Sequence, residues 1–207
     1  DIDQKSTASQ IKLYFDLLKR KLVTEEELIN AFKPEQLSEL LHPVIDESSV
    51  KNLEKVVGGI SGAPGAAVGR VYFSTDDLLE AKKLAKQKNE DTRCILLMCA
   101  TYAGDVKAIE EATGVLSNEG GYSAHASVVA RQYGKISLVA PDMVITGKKA
   151  KIGDMVINSG DYITLNVPYY GAPVVYKGEA NLVQPNPDKL GLFDIVNVCK
   201  KHCDGFY

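Results

Sequence analysis

Between Gly58 and Gly178, short apolar runs alternate with amphipathic stretches, and this alternation constrains the fold more than any other property of the chain. AVGRVYF, RCILLMC, GVLS and ISLVA have the length and apolar content of buried strands. DDLLEAKKLAKQKN, DVKAIEEA and AHASVVARQY read as the helices between them. Strands interleaved with helices pair in parallel, with the helices laid over a face of the sheet. The spacing predicts an α/β domain over 58–178. Ser74 or Thr75 caps its first helix, and Gly134 closes AHASVVARQY, since glycine adopts the left-handed conformation past a helix end without strain. DMVINSGDYITLNV alternates at period two and predicts a hairpin turning at Ser159-Gly160, and PVVYKG predicts a final strand.

The flanks differ in texture. Residues 1–57 predict a helical segment, beginning with SQIKLYFDLLKRKL, where Ile11, Tyr14, Phe15, Leu18 and Leu22 fall on or near one face. Thr24 and Glu27 are spaced as a capping box for a helix running to about Phe32. Pro34 opens a third helix, EQLSELL, which should stop before His42 because the residue preceding Pro43 avoids the α region. Residues 179–207 predict a linker, NLVQPNPDKLG, and a helix, LFDIVNVCKKH. The chain opens on Asp1 rather than Met and is expected to be a piece of something longer.

Charge and cysteines narrow the function. The net charge is −3 and no basic stripe with interleaved aromatics is present, which argues against a nucleic acid partner. No apolar run approaches the ~20 residues of a membrane span, and DIDQKSTASQ is not a signal sequence. Cys94 and Cys99, in a strand-like run, read as reduced and buried, and a cytoplasmic location follows. Cys199, His202 and Cys203 could share a metal, but without a fourth ligand a solvated helix end is the simpler reading. The glycine-rich SGAPGAAVGR lacks both G-K-[ST] and G-x-G-x-x-G, so it reads as turn and tight strand packing.

The chemistry concentrates at GGYSAHASVVAR, Gly120 to Arg131. Gly120 and Gly121 permit a tight turn, and a helix begins immediately afterwards. Its first N–H groups lack intrahelical partners and favour an anion. An imidazole there, at His125, can act as a nucleophile toward phosphorus. Ala126, Val129 and Ala130 would face the sheet and leave His125 near the mouth. A histidine that merely packs a helix start against a turn fits the spacing equally well. A serine-hydrolase reading of Ser123 is weaker, because the run is not G-x-S-x-G.

GGYSAHASVVARQYGK closely resembles the phosphohistidine signature of the phosphoenolpyruvate-utilising enzymes, GG-x-[ST]-x-H-[AG]-x-[IV]-x-A-R. GGISGAPGAAVGRVYF and AGDVKAIEEATGVLS are similar to the segments preceding it. PEQLSELLHP is similar to the helices before this domain in the pyruvate phosphate dikinases. The resemblance implies a swivelling β/β/α domain with helical arms at both ends. It implies that His125 carries a phosphoryl group between ATP and pyruvate/phosphoenolpyruvate, that Gly120 and Gly121 shape its loop, and that Arg131 is the signature arginine. Ser123 falls where plant dikinases carry a regulatory threonine. The implied partners are an ATP-grasp nucleotide-binding domain and a (β/α)8 domain in the same homodimeric enzyme. The chain would have no turnover alone, no cofactor or metal of its own, and magnesium would serve only the full enzyme. A phosphoenolpyruvate synthase-type domain, a stand-alone phosphocarrier and a non-catalytic swivelling domain are the alternatives. Two positions depart from the pattern. Glu119 stands where many relatives have arginine, and would repel a phosphoryl group unless it turns to solvent. CATYAG replaces the usual arginine and T-S-P-E.

Overall fold

The computed structural model describes residues 7–32, 42–121, 123–169 and 171–184. The chain divides into two compact units, one from residues 1–43 with 184–207 and one over Val44–Val183. The expected helices EQLSELL and LFDIVNVCKKH, and the Cys199, His202 and Cys203 group, lie outside the described residues.

In the first unit, α1 (Thr7–Lys19) and α2 (Glu25–Asn30) bury Ile11, Leu28 and Phe32 together. The edge of the Tyr14 ring meets Phe32, with centroids 5.3 Å apart. The capping box forms: Thr24 N–H donates to Glu27 Oε2 at 2.8 Å and Glu27 N–H to Thr24 Oγ1 at 3.2 Å. Leu22 does not join this apolar face. Lys21 adopts a left-handed φ of 56° that ends the helix, and Leu22 is left 67% exposed.

The second unit begins with β1 (Val44–Ile45), α3 (Glu47–Val50), β2 (Glu54–Val57), β3 (Ile60–Ala63) and β4 (Gly65–Tyr72). Three crossovers follow: α4 (Thr75–Lys88) to β5 (Cys94–Met98), α5 (Val106–Glu111) to β6 (Gly114–Ser117), and α6 (His125–Gln132) to β7 (Ile136–Val139). The chain then forms β8 (Val144–Thr146), β9 (Lys149–Ile152), β10 (Met155–Asn158), β11 (Tyr162–Val167), β12 (Val174–Lys177) and β13 (Leu182–Val183). Eight strands pair in the order β2-β12-β11-β4-β5-β6-β7-β3, with β4 to β7 parallel and the remaining pairs antiparallel. Because crossovers are right-handed, the three helices of β4 to β7 cover one face.

The edge strands β2 and β3 are joined by Gly58 and Gly59 alone. A flat sheet of this size would hold its edges ~34 Å apart, whereas this link spans at most ~11 Å. The sheet is therefore rolled until its edges meet. Alternation along each strand fills the two faces separately. Ile95, Leu97, Leu116, Leu138, Ile163 and Leu165 pack with Ala150, Ile152, Met155 and Ile157 of the sheet β10-β9-β8. Leu96, Val115 and Cys94 pack under Leu78, Ile109, Ala126, Val129 and Ala130 of the helices. The result is a mixed α/β unit in which one face of the large sheet packs with the small sheet and the other with the helices.

Most expected elements form, and Ser74 is the α4 cap, accepting from Asp77 N–H at 3.2 Å. The hairpin expected over 155–167 does not form. β10 pairs with β9, while β11 pairs with β4 and β12 in the other sheet. Two-residue turns at Gly147-Lys148 and Gly153-Asp154, with glycine φ of 61° and 56°, close β8-β9 and β9-β10 instead. Ser159-Gly160 does turn the chain, but it passes β11 to the neighbouring sheet. The compact unit is also wider than 58–178, because β2 pairs β12 and β1 pairs β13. Cys99 is exposed, not buried, since it lies just past the end of β5.

A charged clasp fixes the entrance to β5. Arg93 Nε and NH2 donate to Asp91, Arg93 NH2 also reaches Glu179, and Tyr162 O–H donates to Asp91 Oδ2 at 3.0 Å. The hydrogen bonds from the Arg93 side chain hold the Asp91 carboxyl down at about 2. A depressed folded-state value means the carboxylate stabilises the fold above its unfolded value of ~3.9 and stops doing so as pH falls toward 2. After allowance for solvent screening, the contribution is about 1–2 kcal/mol. Acid titration of folding stability between pH 5 and 2 is expected to show a steeper loss in the parent chain than in Asp91→Asn. Parallel curves would contradict the assignment.

Candidate functional site

The parallel strands β5 and β6 end side by side, with Met98 opposite Ser117. The loops that leave these two ends therefore lie beside one another. Cys99 C=O accepts from Glu119 N–H at 2.9 Å and ties the two loops together. The loop after β5 is pinned again by Asp105, which accepts from Tyr102 N–H at 2.9 Å and from Thr75 Oγ1 at 2.6 Å. The loop after β6 turns at Gly120, whose φ of 119° is a left-handed value suited to glycine. A Cβ at Gly120 would also stand 2.7 Å from Ala124 Cβ. Gly121 is under no such constraint, and its carbonyl accepts from Ala124 N–H at 3.1 Å.

This turn delivers the chain into α6, with His125 as its first residue. Ala126, Val129 and Ala130 are buried against the sheet, and His125 is exposed at the mouth. Its Nδ1 lies 3.2 Å from Thr101 Oγ1, at the end of the neighbouring loop. Thr101 is 5% exposed, so its hydroxyl is held in place by burial. When Oγ1 accepts from Nδ1–H, the lone pair is left on Nε2. Ala124, the residue before the helix, offers no side-chain cap. Among the described residues, none accepts from the N–H groups of His125, Ala126 or Ser127. Among the described residues the helix start therefore offers its first N–H groups no partner, and it presents the positive end of its dipole beside an exposed imidazole.

The other expected site residues are dispersed. Ser123 and Glu119 are both exposed in the loop. Arg131 lies six residues further along α6, where its NH1 donates to Gly62 C=O of β3. A Cβ at Gly62 would stand 2.2 Å from Ser127 Oγ and 2.7 Å from Ser137 Oγ, so a larger residue there would displace both hydroxyls. SGAPG thus fastens β3 against α6. Thr101 was not anticipated from the sequence. Its one available signal was a small hydroxyl residue just beyond an apolar strand, in the segment where CATYAG departs from the usual pattern. No group of three or more His, Cys, Asp or Glu that could hold a metal ion occurs among the described residues. No helix there is long and apolar enough to cross a membrane.

Residues 90–167 match the mobile domain of the PEP-utilising enzymes. The chain is 58% identical over 206 residues to pyruvate, phosphate dikinase of Treponema pallidum, covering 100% of this chain and 23% of that protein. It is 32% identical over 185 residues to pyruvate, phosphate dikinase of Rickettsia prowazekii, covering 88% of this chain and 20% of that one. For the Clostridium symbiosum protein of the same name, the identity is 30% over 179 residues, covering 85% and 20%. The chain thus spans about a fifth of the length of the curated relatives it matches.

Proposed function

We propose that this chain, which belongs to the PEP-utilising enzymes through its mobile domain, is the phosphoryl-carrying part of a pyruvate phosphate dikinase-like enzyme. The observation that carries the reading is the placement of His125, exposed as the first residue of α6 and oriented from behind by Thr101. Nε2 attacks phosphorus, a P–O bond of the donor breaks, and the new N–P bond stores the group. Backbone N–H groups of α6 and its dipole offset the charge of the phosphoryl oxygens. Delivery reverses the step on the acceptor oxygen. Tyr102 and Val128 are exposed apolar side chains, one beside Thr101 in sequence and one a helical turn behind His125. Such a rim suits a surface received by other parts of the enzyme.

The donor and acceptor are taken to be ATP and pyruvate/phosphoenolpyruvate, bound on an ATP-grasp domain and a (β/α)8 domain of the same cytoplasmic homodimer. Magnesium is assigned to those domains in this reading. Glu119 is exposed, which supports the solvent-facing orientation that a carrier requires. Ser123, exposed two residues before His125, is proposed as the position at which a modification would obstruct the site.

Incubation of the whole enzyme with phosphoenolpyruvate labelled in its phosphoryl group tests the reading. An acid-labile, alkali-stable adduct is expected on the peptide containing His125, and none on His125→Ala. Label that persists in His125→Ala, or maps elsewhere, would overturn it.

A further inference from the structure

Away from His125, helices α4 and α5 flank an open groove of about 250 Å³ lined by Leu79, Lys82, Lys83, Lys86, Lys107 and Glu111. Four cations and one carboxylate converge there, an excess of positive charge on a chain whose net charge is −3. Lys82 and Glu111 satisfy one another: Lys82 Nζ donates to the Glu111 carbonyl at 2.5 Å and lies 2.8 Å from its carboxylate. The Glu111 carboxyl is held below its usual range, first by that Lys82 hydrogen bond and charge, with Lys86 and Lys107 adding to the effect. Both of these lysines are therefore within electrostatic reach of the same point. Lys83, Lys86 and Lys107 are exposed, and no ion pair engages them among the described residues. Glu80 and Glu110, on the same helices, do not line the groove.

Lys82 and Lys86 sit four apart on α4, a like-charge spacing that opposes the helix. Lys107 faces them from α5. A multivalent anion would convert this repulsion into attraction. Lysine suits phosphate as a compact charge, and the groove has no arginine fork for planar carboxylates. It has no aromatic side chain on which a base could stack, and its volume lies below the usual range for whole small-molecule sites. We infer that the groove between α4 and α5 is a binding site for a short polyphosphate anion, recognised through its phosphates alone and separate from the chemistry of His125.

Titration of the ¹⁵N-labelled chain with pyrophosphate at low salt tests this. Saturable amide shifts confined to α4 and α5 are expected, unchanged in His125→Ala. The triple variant Lys83→Gln, Lys86→Gln, Lys107→Gln should bind at least tenfold more weakly, and the same spectrum reports whether it is folded. A control that removes equal charge from other exposed sites, Lys51→Gln, Lys149→Gln, Lys151→Gln, should retain the affinity, and the difference should shrink with salt. Tripolyphosphate and ATP should bind equally. Scattered shifts, shifts reproduced by KCl at matched ionic strength, equal weakening in the control, or tighter binding of ATP would each overturn the inference.

Discussion

Thr101→Val is expected to slow phosphorylation of His125 by about 10- to 100-fold in the whole enzyme, whereas Thr101→Ser stays near the parent rate. Valine keeps the shape of threonine and removes the hydroxyl that faces Nδ1 at 3.2 Å. The imidazole then loses the contact that holds its ring orientation and that, when Oγ1 accepts, keeps the proton on Nδ1. The ring would sample rotations away from the donor. The size follows from one hydrogen bond to a reacting group, ~1.5–3 kcal/mol, at 1.36 kcal/mol per factor of ten. Rapid-quench measurement of the first phosphoryl transfer is the appropriate readout, because later domain motion can mask it in turnover. The melting temperature and the pH dependence of the transfer rate separate positioning from folding. A role in positioning predicts an unchanged melting temperature and an altered pH profile for Thr101→Val. A valine variant as fast as the parent, or a serine variant as slow as valine, would remove Thr101 from the site.

Thr101 also marks the boundary of what the sequence makes legible. The spacing of RCILLMC, GVLS and AHASVVARQY located β5, β6 and α6, because buried parallel strands and a helix with one apolar face leave strong local signatures. The turn at Gly120 and the histidine after it were legible for the same reason: glycine and a helix start are local chemistry. The partner of His125 was not, since it comes from another loop, 24 residues earlier. Only the parallel pairing of β5 with β6 makes them neighbours. The hairpin over 155–167 misled in the same way. Period-two alternation reports that a strand has a buried face and not which strand it pairs with, and β10 and β11 pair in different sheets. The short turns Gly147-Lys148 and Gly153-Asp154 were visible and carried the correct pairing. Arg131, the signature arginine, donates to the carbonyl of Gly62, on a strand far from it in sequence, and that bond was not legible either.

Gly69→Ala is expected to destabilise the Val44–Val183 unit by ~3 kcal/mol or more, above the usual cost of an added methyl group in a core. Gly69 lies in β4, paired with Ile163 of β11 on one side and flanked by the start of β5 on the other. A Cβ there would stand 2.8 Å from Cys94 N and 2.9 Å from the carbonyl carbons of Arg93 and Cys94. These are backbone atoms, so no rotamer change relieves the contact. Strand β5 cannot withdraw cheaply either. Arg93 C=O accepts from Arg70 N–H at 3.0 Å, and the Arg93 guanidinium is held by Asp91 and Glu179. Separating β4 from β5 would also loosen the loop that carries Thr101, so loss of fold and loss of His125 phosphorylation should appear together. Gly104→Ala is the matching control, because a Cβ there meets nothing within 4 Å. It is expected to stay within ~0.5 kcal/mol of the parent, as an ordinary surface change does. In thermal unfolding the first variant should melt on the order of 10 °C lower. Melting of Gly69→Ala within ~2 °C of the parent would show that β4 and β5 can part without cost, and that the tight strand packing attributed to this glycine is not what holds the sheet closed.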